Sequence, residues 1–275
     1  MIRSQTASRV ALFLSADIVG STAYKVAAYD QRGRPHWLEA FETLFRELPL
    51  VFIGQVAAAG LWSEHVPDCG VWKVLGDEVI FIGMPADVEE AEILATAFVR
   101  TVEAYDDGLA RRWPLRVRGS CWAAEMGERN RMIEIPEMFS EERGRPYLDF
   151  LGPDVDLGFR LSAHSAPGRV IVSPNLAESL AADGVAPRLL FHPIGERSLK
   201  GVCSGRPIPL ILMSCASENE SEDGRSSGPA ADLPSPANRS QLRADLAARR
   251  QGEAANHDAV MAPPVFAPST TWVSN

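Results

Sequence analysis

The stretch FLSADIVGSTAYK, residues 13–25, decides the fold, because it joins a buried strand to a functional turn. The apolar run over residues 10–14 has the length and composition of a buried β-strand. A carboxylate, Asp17, follows it, and then a turn of small residues, Gly20-Ser21-Thr22, which leads into a predicted helix. An ionised carboxylate beside a buried strand is costly unless it is paired or binds a metal. The stretch therefore predicts a strand, a turn and a helix arranged around a functional acid.

A second stretch, VWKVLGDEVIFIG (residues 71–83), places another acid between two apolar runs. The Gly76-Asp77 turn between the runs predicts a β-hairpin. If the first strand lies beside this hairpin, Asp17 and Asp77 meet at one end of a sheet. Converging carboxylate oxygens suit Mg²⁺ or Mn²⁺, and two such ions about 3.5–4 Å apart are typical of phosphoryl chemistry. The alternative is that Asp17 only caps the next helix and Asp77 is an ordinary turn residue.

Strands and helices interleave over residues 1–215, which predicts one domain with helices packed on a sheet. Beyond residue 215 the composition changes to Ser, Pro, Ala and Gly with scattered charge. Such a segment cannot bury enough apolar surface to offset its ordering entropy. We therefore expect a disordered tail over residues 216–275, with a transient helix at 239–250.

Composition and charge exclude several classes of protein. The chain has 275 residues, 46% of them hydrophobic, and a formal net charge of -9, which argues against a general nucleic-acid binder. No apolar run approaches the roughly 20 residues that span a bilayer, and the first residues lack the pattern of a signal peptide. The four cysteines show no CxxC spacing, which indicates free thiols in a reducing compartment. A cytoplasmic protein is expected.

Four segments of the chain resemble, in order, the motifs of class III nucleotide cyclase catalytic domains. They are FLSADIVGST, KVLGDE, FLGPDVDLGFRLSAHSAPGRVIVS and ERSLKGV, and the resemblance covers about residues 9–213. It implies an α+β fold with a ferredoxin-like, mostly antiparallel central sheet and helices packed on it. It also implies a head-to-tail homodimer whose two active sites are each shared between the subunits.

The resemblance assigns roles to twelve residues. Asp17, Asp77 and the backbone carbonyl of Ile18 would hold two Mn²⁺ or Mg²⁺ ions per site. The phosphates would lie against Gly20, Ser21 and Thr22, since backbone N–H groups at a helix start can cradle phosphate.

The other assigned roles concern the triphosphate, the reacting phosphate and the base. Arg116 and Lys200 would contact the triphosphate, and Lys73 and Asp149 would read the base. Arg160 would stabilise charge on the α-phosphate. Asp156 lies four residues before Arg160, so both share one helix face; the alternative for them is an exposed ion pair within the helix, and for Lys200 a solvated loop lysine.

Several positions depart from the common family pattern. Asp156 replaces the usual asparagine, Gly158-Phe159 replace small residues, and tryptophans flank two of the motifs at Trp72 and Trp122. These variants resemble the pyrimidine cyclases of Pycsar anti-phage systems. That likeness implies UTP or CTP as substrate, cUMP or cCMP as an infection signal, and a separate effector protein that detects the signal.

Two alternatives to a pyrimidine cyclase remain. One is an adenylate cyclase, because Lys73 can donate to adenine N1 while Asp149 accepts from its exocyclic amine. The same two groups can face O4 or N3–H of a pyrimidine, so this pair alone does not choose the base. The other alternative is a non-catalytic regulatory domain with a cyclase-like fold.

Overall fold

The structure is a computed structural model that describes residues 9–29, 33–60, 66–135, 147–182, 188–216, 233–253, 263–264 and 266. Within these residues the strands are β1 (Arg9–Val19), β2 (Cys69–Leu75), β3 (Glu78–Gly83), β4 (Arg116–Met126), β5 (Arg131–Ile135), β6 (Tyr147–Leu151), β7 (Val170–Val172), β8 (Leu189–Ser198) and β9 (Pro207–Cys215). The helices are α1 (Ser21–Ala27), α2 (Trp37–Ala59), α3 (Val88–Arg112), α4 (Pro153–Ser162), α5 (Pro174–Leu180) and α6 (Arg239–Glu253).

Seven strands form the central sheet in the order β2-β3-β1-β4-β7-β9-β8. All neighbouring pairs are antiparallel except β4 and β7, which run parallel. Strands β5 and β6 pair separately as an antiparallel ribbon. The prediction of a mostly antiparallel sheet with helices packed on it is confirmed.

The two faces of the sheet bury different sets of side chains. On β1, Leu12, Leu14 and Ala16 belong to the main core, to which α2, α3, α5 and α6 contribute. The alternate residue Phe13 points to the other face, into an aromatic cluster covered by α4. Because side chains alternate along a strand, Ser15 and Asp17 also point to this second face. The second face therefore carries the candidate site.

Strand β1 is longer than the sequence pattern predicts. It continues through Val19, so Asp17 lies inside the strand and not after it. The extension is possible because β1 is a central strand, in register with β3 as far as Asp17 and with β4 as far as Val19. Helix α2 also continues past Pro49, to Ala59.

The expectation of a disordered tail over residues 216–275 does not hold for residues 239–253, which form α6. Leu242 and Leu246, one turn apart, are each only 6% exposed and join the main core. Two charged contacts add to this packing: Arg250 donates to Glu178 (3.0 Å), and Arg239 lies 3.6 Å from Glu92. Residues 217–232 and the others left undescribed beyond 216 lie outside the described part, so disorder there stays a prediction.

Glu92, on α3, makes the stability of this arrangement depend on pH. Its side chain is fully buried, and burial raises the pKa of the Glu92 carboxyl to about 7, although Arg239 and Arg188 act to lower it. The folded state therefore binds a proton more tightly than the unfolded state, whose Glu92 has an ordinary pKa near 4.5. The free energy of unfolding should consequently fall as the pH rises from about 4.5 to 7.

We expect Glu92→Gln to remove this pH dependence, because the neutral amide keeps the shape of the side chain without the buried charge. At pH 8 the variant should be more stable than the parent, by on the order of 3 kcal/mol if the raised pKa is the dominant effect. Urea unfolding at pH 5 and pH 8 measures this difference. Glu89→Gln, an exposed position on the same helix, is the control and should change little at either pH; an equal gain at both pH values for Glu92→Gln would contradict the interpretation.

Among the described helices, none is both long and apolar enough to cross a membrane.

Candidate active site

Asp17 lies on the site face of the sheet, between charged residues of both neighbouring strands. Its partners across the ladders are Glu78 on β3 and Arg118 on β4. The Arg118 guanidinium donates two hydrogen bonds to Asp17 Oδ2, from Nε at 3.0 Å and from Nη2 at 2.7 Å. Burial raises the pKa of the Asp17 carboxyl, the neighbouring Asp77 raises it further, and Arg118 and the Ile18 N–H lower it.

Asp77 occupies the turn between β2 and β3, at the same end of the sheet as Asp17. Its carboxylate lies 3.7 Å from Nζ of Lys25 on α1. The two aspartates are neighbours at this end, since Asp17 pairs across the ladder with Glu78, the residue after Asp77. The charge of Asp77 accordingly helps to raise the pKa of Asp17. Asp17 does not cap α1, because the N-cap is Gly20 and no side chain caps the helix. Asp77 is more than a turn residue, because it also forms an ion pair with Lys25 on α1.

Glu78 is a third acid at this end of the sheet, and it is not among the residues predicted for the site. Ser15 on β1 donates a hydrogen bond to its carboxylate. Burial raises the pKa of Glu78, and the neighbouring Asp17 and Asp77 add to the shift while the Ser15 hydrogen bond opposes it. The cross-strand pairing of Glu78 with Asp17 could have been found from the sequence only if the register of the two strands had been known.

The residues at this end fit a divalent cation in charge and in donor type. Two mutually repelling carboxylates with hard oxygens are a suitable donor set for Mg²⁺ or Mn²⁺. In the part of the chain that the structure describes, no group of three or more His, Cys, Asp or Glu side chains is arranged to hold a metal. Asp17 and Asp77 bring two carboxylates to this end of the sheet, and a metal-binding role for them and for the Ile18 carbonyl stays a prediction.

The turn after β1 is short, so that α1 begins only four residues after Asp17. Gly20 adopts a φ of 79°, a left-handed conformation that strains other residues. Its carbonyl accepts a hydrogen bond from Tyr24 N–H at 3.1 Å. Ser21 is buried and Thr22 is exposed. The turn brings the predicted phosphate-binding residues next to Asp17 in the chain.

Lys73 and Asp149, the two residues predicted to read the base, form an ion pair. Lys73 Nζ on β2 donates to Asp149 Oδ1 on β6 at 2.7 Å, and both side chains are a little more than one-fifth exposed. The same carboxylate oxygen accepts a hydrogen bond from Phe150 N–H at 2.8 Å. The pair therefore joins the edge strand of the sheet to the separate ribbon.

Two arginines of β4, Arg116 and Arg118, have different partners, and Arg116 does not lie where the resemblance placed it. Arg116, expected at the triphosphate, donates from Nε to both oxygens of Asp106 on α3, at 2.9 and 3.0 Å. Asp106 is buried and also accepts from Val117 N–H at 2.7 Å, so this contact anchors α3 to β4. The structure does not bring Arg116 to Asp17; Arg118 takes that place.

Asp156, Arg160 and Lys200 are exposed, and within the described residues none of them forms an ion pair with Asp17 or Asp77. Asp156 and Arg160 lie on α4, and within the described residues they make no ion pair with each other. Lys200 follows the last residue of β8, Ser198, at the end of the sheet opposite Asp17. The register places Ser198 about 20 Å along the strand direction from the Asp17 row.

Side-chain contacts and close packing hold α4 against the sheet. Asp154 in its first turn accepts from Arg129 Nε at 3.1 Å and from Asn130 Nδ2 at 2.7 Å, and its N–H donates to Asn130 Oδ1. Farther along, Gly158 lies against the ring of Trp122, where a Cβ would come within 2.1 Å of the indole. Only glycine allows the helix to approach the sheet this closely, which explains one departure from the family pattern.

Comparison with known proteins yields relatives in structure only. No protein-family model and no curated protein matches the chain by sequence. The guanylate cyclase domain of RhGC from Catenaria anguillulae, solved in complex with GTP, matches with a TM-score of 0.52 and 12% identity, over 76% of this chain and 98% of that domain. The adenylyl cyclase CyaB from P. aeruginosa matches with a TM-score of 0.52 and 16% identity, over 79% of this chain and 100% of CyaB.

A third solved structure is the catalytic core of a rhodopsin-guanylyl cyclase with converted specificity, in complex with ATPαS. It matches with a TM-score of 0.52 and 12% identity, over 76% of this chain and 98% of that core. At such low sequence identity, the structural similarity shows the fold alone. The chain thus has the fold of the class III nucleotide cyclase catalytic domains.

Proposed function

We propose that the protein is a nucleotide cyclase that converts a pyrimidine nucleoside triphosphate, UTP or CTP, into its 3′,5′-cyclic nucleotide and pyrophosphate. The observation that supports the proposal is the register of the sheet, in which Asp17 pairs with Glu78, the residue after Asp77, close to the turn at Gly20. The two carboxylates are suited to bind divalent cations. Their basic partners, Arg118 and Lys25, are suited to contact phosphate.

In the proposed reaction the ribose 3′-hydroxyl loses its proton to water and its oxygen forms a bond to the α-phosphorus. The bond from the α-phosphorus to the oxygen bridging it to the β-phosphate breaks, and pyrophosphate leaves. Asp17, Asp77 and the Ile18 carbonyl would hold two divalent ions, which would lower the pKa of the attacking hydroxyl and neutralise phosphate charge. Arg118 lies against Asp17 and is the chain's own cation in position to contact the triphosphate. Arg160 and Lys200 would stabilise charge on the α-phosphate and on the leaving pyrophosphate.

The exposed positions of Arg160 and Lys200 are accounted for by a homodimer with shared sites. Lys200 lies at the end of the sheet opposite Asp17, so it cannot serve the aspartates of its own subunit without a large rearrangement. A head-to-tail pairing of two chains brings opposite ends together twice. Each site would then combine Asp17 and Asp77 of one subunit with Lys73, Asp149, Asp156, Arg160 and Lys200 of the other.

The choice of a pyrimidine base rests on the likeness of the motifs to Pycsar cyclases, supported by the tryptophans beside them. Trp72 packs directly against Lys73 and hydrogen-bonds the residue before Asp149. In this proposal the cyclic product is an infection signal in anti-phage defence, and a separate effector protein detects it.

Incubation of the pure protein with each of the four NTPs and Mn²⁺ tests the proposal. We expect a cyclic pyrimidine nucleotide as the main product, identified by chromatography against authentic standards, with UTP the preferred substrate. Product from ATP alone would instead establish the adenylate cyclase alternative, for which the Lys73–Asp149 pair is also chemically suited. Nucleotide binding without turnover, unchanged in an Asp77→Ala variant, would establish the non-catalytic alternative.

A further inference from the structure

The edge strand β2 contains a bulge at the position of the predicted base-reading lysine. Val71 pairs with Phe81 and Lys73 pairs with Ile80, so two steps along β2 correspond to one step along β3 and Trp72 is the extra residue. A bulge of this kind re-aims side chains that regular alternation would place on opposite faces.

The bulge turns Trp72 and Lys73 toward the same face. Ile80, the partner of Lys73, belongs to the aromatic cluster on the site face, whereas Val79 belongs to the main core on the other side. In a regular ladder Lys73 would pair with Val79 and its ammonium group would face α2 and α3. Because of the inserted residue, Trp72 packs into the aromatic cluster while its neighbour Lys73 reaches Asp149 on the same side.

Trp72 is held in one orientation by a hydrogen bond and by three rings. Its Nε1–H donates to the carbonyl of Leu148 on β6 at 3.0 Å. Its ring centroid lies 5.1 Å from that of Phe13, 5.3 Å from Phe150 and 6.4 Å from Phe159. These contacts come from β1, β6 and α4, so the indole connects three elements of the site face.

The indole contacts Lys73 directly and the residue next to Asp149 in the chain. Lys73 Nζ lies 4.4 Å from the centroid of the Trp72 ring, a cation–π distance. The hydrogen bond from Trp72 ends on Leu148, the residue next to Asp149. The lysine and the aspartate therefore reach their 2.7 Å contact with the indole as a common support.

We infer that Trp72 is the positioning residue for base selection: the bulge and the indole fix where the Lys73 ammonium and the Asp149 carboxylate present their donors and acceptors. This inference rests on the proposed function and deepens it, since it says what determines the selectivity of the same site. Discrimination by hydrogen bonds to a base edge requires those groups to stay within a fraction of an ångström of the productive geometry. Loosening the support should lower selectivity between bases more than it lowers binding of the phosphates.

Two substitutions at Trp72 and one matched control test the inference. Trp72→Leu removes the ring and the hydrogen bond, and Trp72→Phe keeps a ring but removes the hydrogen bond. Trp122→Phe is the control, because Trp122 stacks on Phe13 in the same cluster and touches Phe159, yet its Nε1–H has no partner among the described residues. It controls for loss of aromatic packing without loss of the contacts to the Lys73–Asp149 pair.

The first readout is the ratio of kcat/KM for the preferred NTP over each of the other three. The second readout is inhibition by inorganic tripolyphosphate, which carries no base. We expect Trp72→Leu to lower the ratio about tenfold or more and Trp72→Phe to lower it less, while the tripolyphosphate inhibition constant stays within about twofold of the parent's. Trp122→Phe should keep the ratio. A ratio preserved in Trp72→Leu, or a parallel loss of tripolyphosphate binding, would overturn the positioning role.

Binding measurements separate failure of this inference from failure of the proposed function. Affinities for the four 3′-deoxy NTPs, which cannot cyclise, give a second measure of base preference. If the parent protein binds these analogues selectively but makes no cyclic product, the proposed function fails while the Trp72 variants still decide the inference. If the parent turns over selectively and Trp72→Leu is equally selective in both measures, the inference fails alone.

Discussion

Asp17→Asn and Asp77→Asn should each lower cyclic-nucleotide formation by about a thousandfold or more, because each replaces a carboxylate that the reaction needs for its divalent ions. The amide keeps the size of the side chain but supplies no charge to a cation. Initial rates at saturating NTP and Mn²⁺ measure the loss. Titration of Mn²⁺ followed by its paramagnetic resonance signal tests the same site without turnover, and it should show weakened Mn²⁺ binding in both variants.

The fold should survive both substitutions. Burial already raises the pKa of Asp17, so the neutral side chain is tolerated at that place, and Arg118 keeps about one-quarter of its side chain exposed to water. Asp87→Asn is the matched control: Asp87 caps α3 by accepting from Glu90 N–H at 2.8 Å, and asparagine caps helices equally well. If Asp87→Asn is fully active while Asp17→Asn and Asp77→Asn are inactive, the loss of activity comes from the site and not from a general effect of replacing Asp by Asn. Retention of more than about one-tenth of the activity by Asp77→Asn would refute a metal role for that residue.

The acids were predictable from the sequence because each interrupts an apolar strand pattern at a point where a charge requires an explanation. Asp17 and Asp77 carry that signal, and the hairpin and the strand order then bring them to one end. The sequence does not say which of Arg116 and Arg118 reaches the site, because both point to the same face at a spacing of two residues. The choice is made by Asp106, buried at the end of α3, whose carboxylate holds Arg116.

Two further features could not be predicted, each for its own physical reason. The bulge at Trp72 depends on which β3 residues the strand faces, and strand register is a property of the whole sheet. A transient helix was expected at 239–250, but the packing of α6 on the core was not, because composition averages over a window: its few apolar residues are diluted by charge, yet Leu242 and Leu246 both face the core. Two of its charged residues, Arg239 and Arg250, lie against acids on α3 and α5.

The separation of Lys200 from Asp17 within one chain implies that activity depends on pairing, and complementation between two inactive variants tests this directly. Asp77→Asn damages the metal-binding part of a site, and Arg160→Ala damages the part that would come from the other subunit. In a head-to-tail dimer of one chain of each kind, one site carries both substitutions and the other carries neither. Random mixing makes half of the dimers mixed, so the mixture should recover about a quarter of the parent's activity from two nearly inactive components.

The matched control mixes Asp77→Asn with Asp17→Asn, whose substitutions fall on the same part of the site. Every site in every dimer of that mixture carries a damaged metal-binding part, so no activity should return. Native mass spectrometry, with one partner isotopically labelled, verifies that mixed dimers form in both cases. If mixed dimers form and the Asp77→Asn and Arg160→Ala mixture stays inactive, the site is not shared in this way. If a verified monomer of the parent protein turns over, either Lys200 reaches Asp17 by a rearrangement of a single chain or the reaction does not need it.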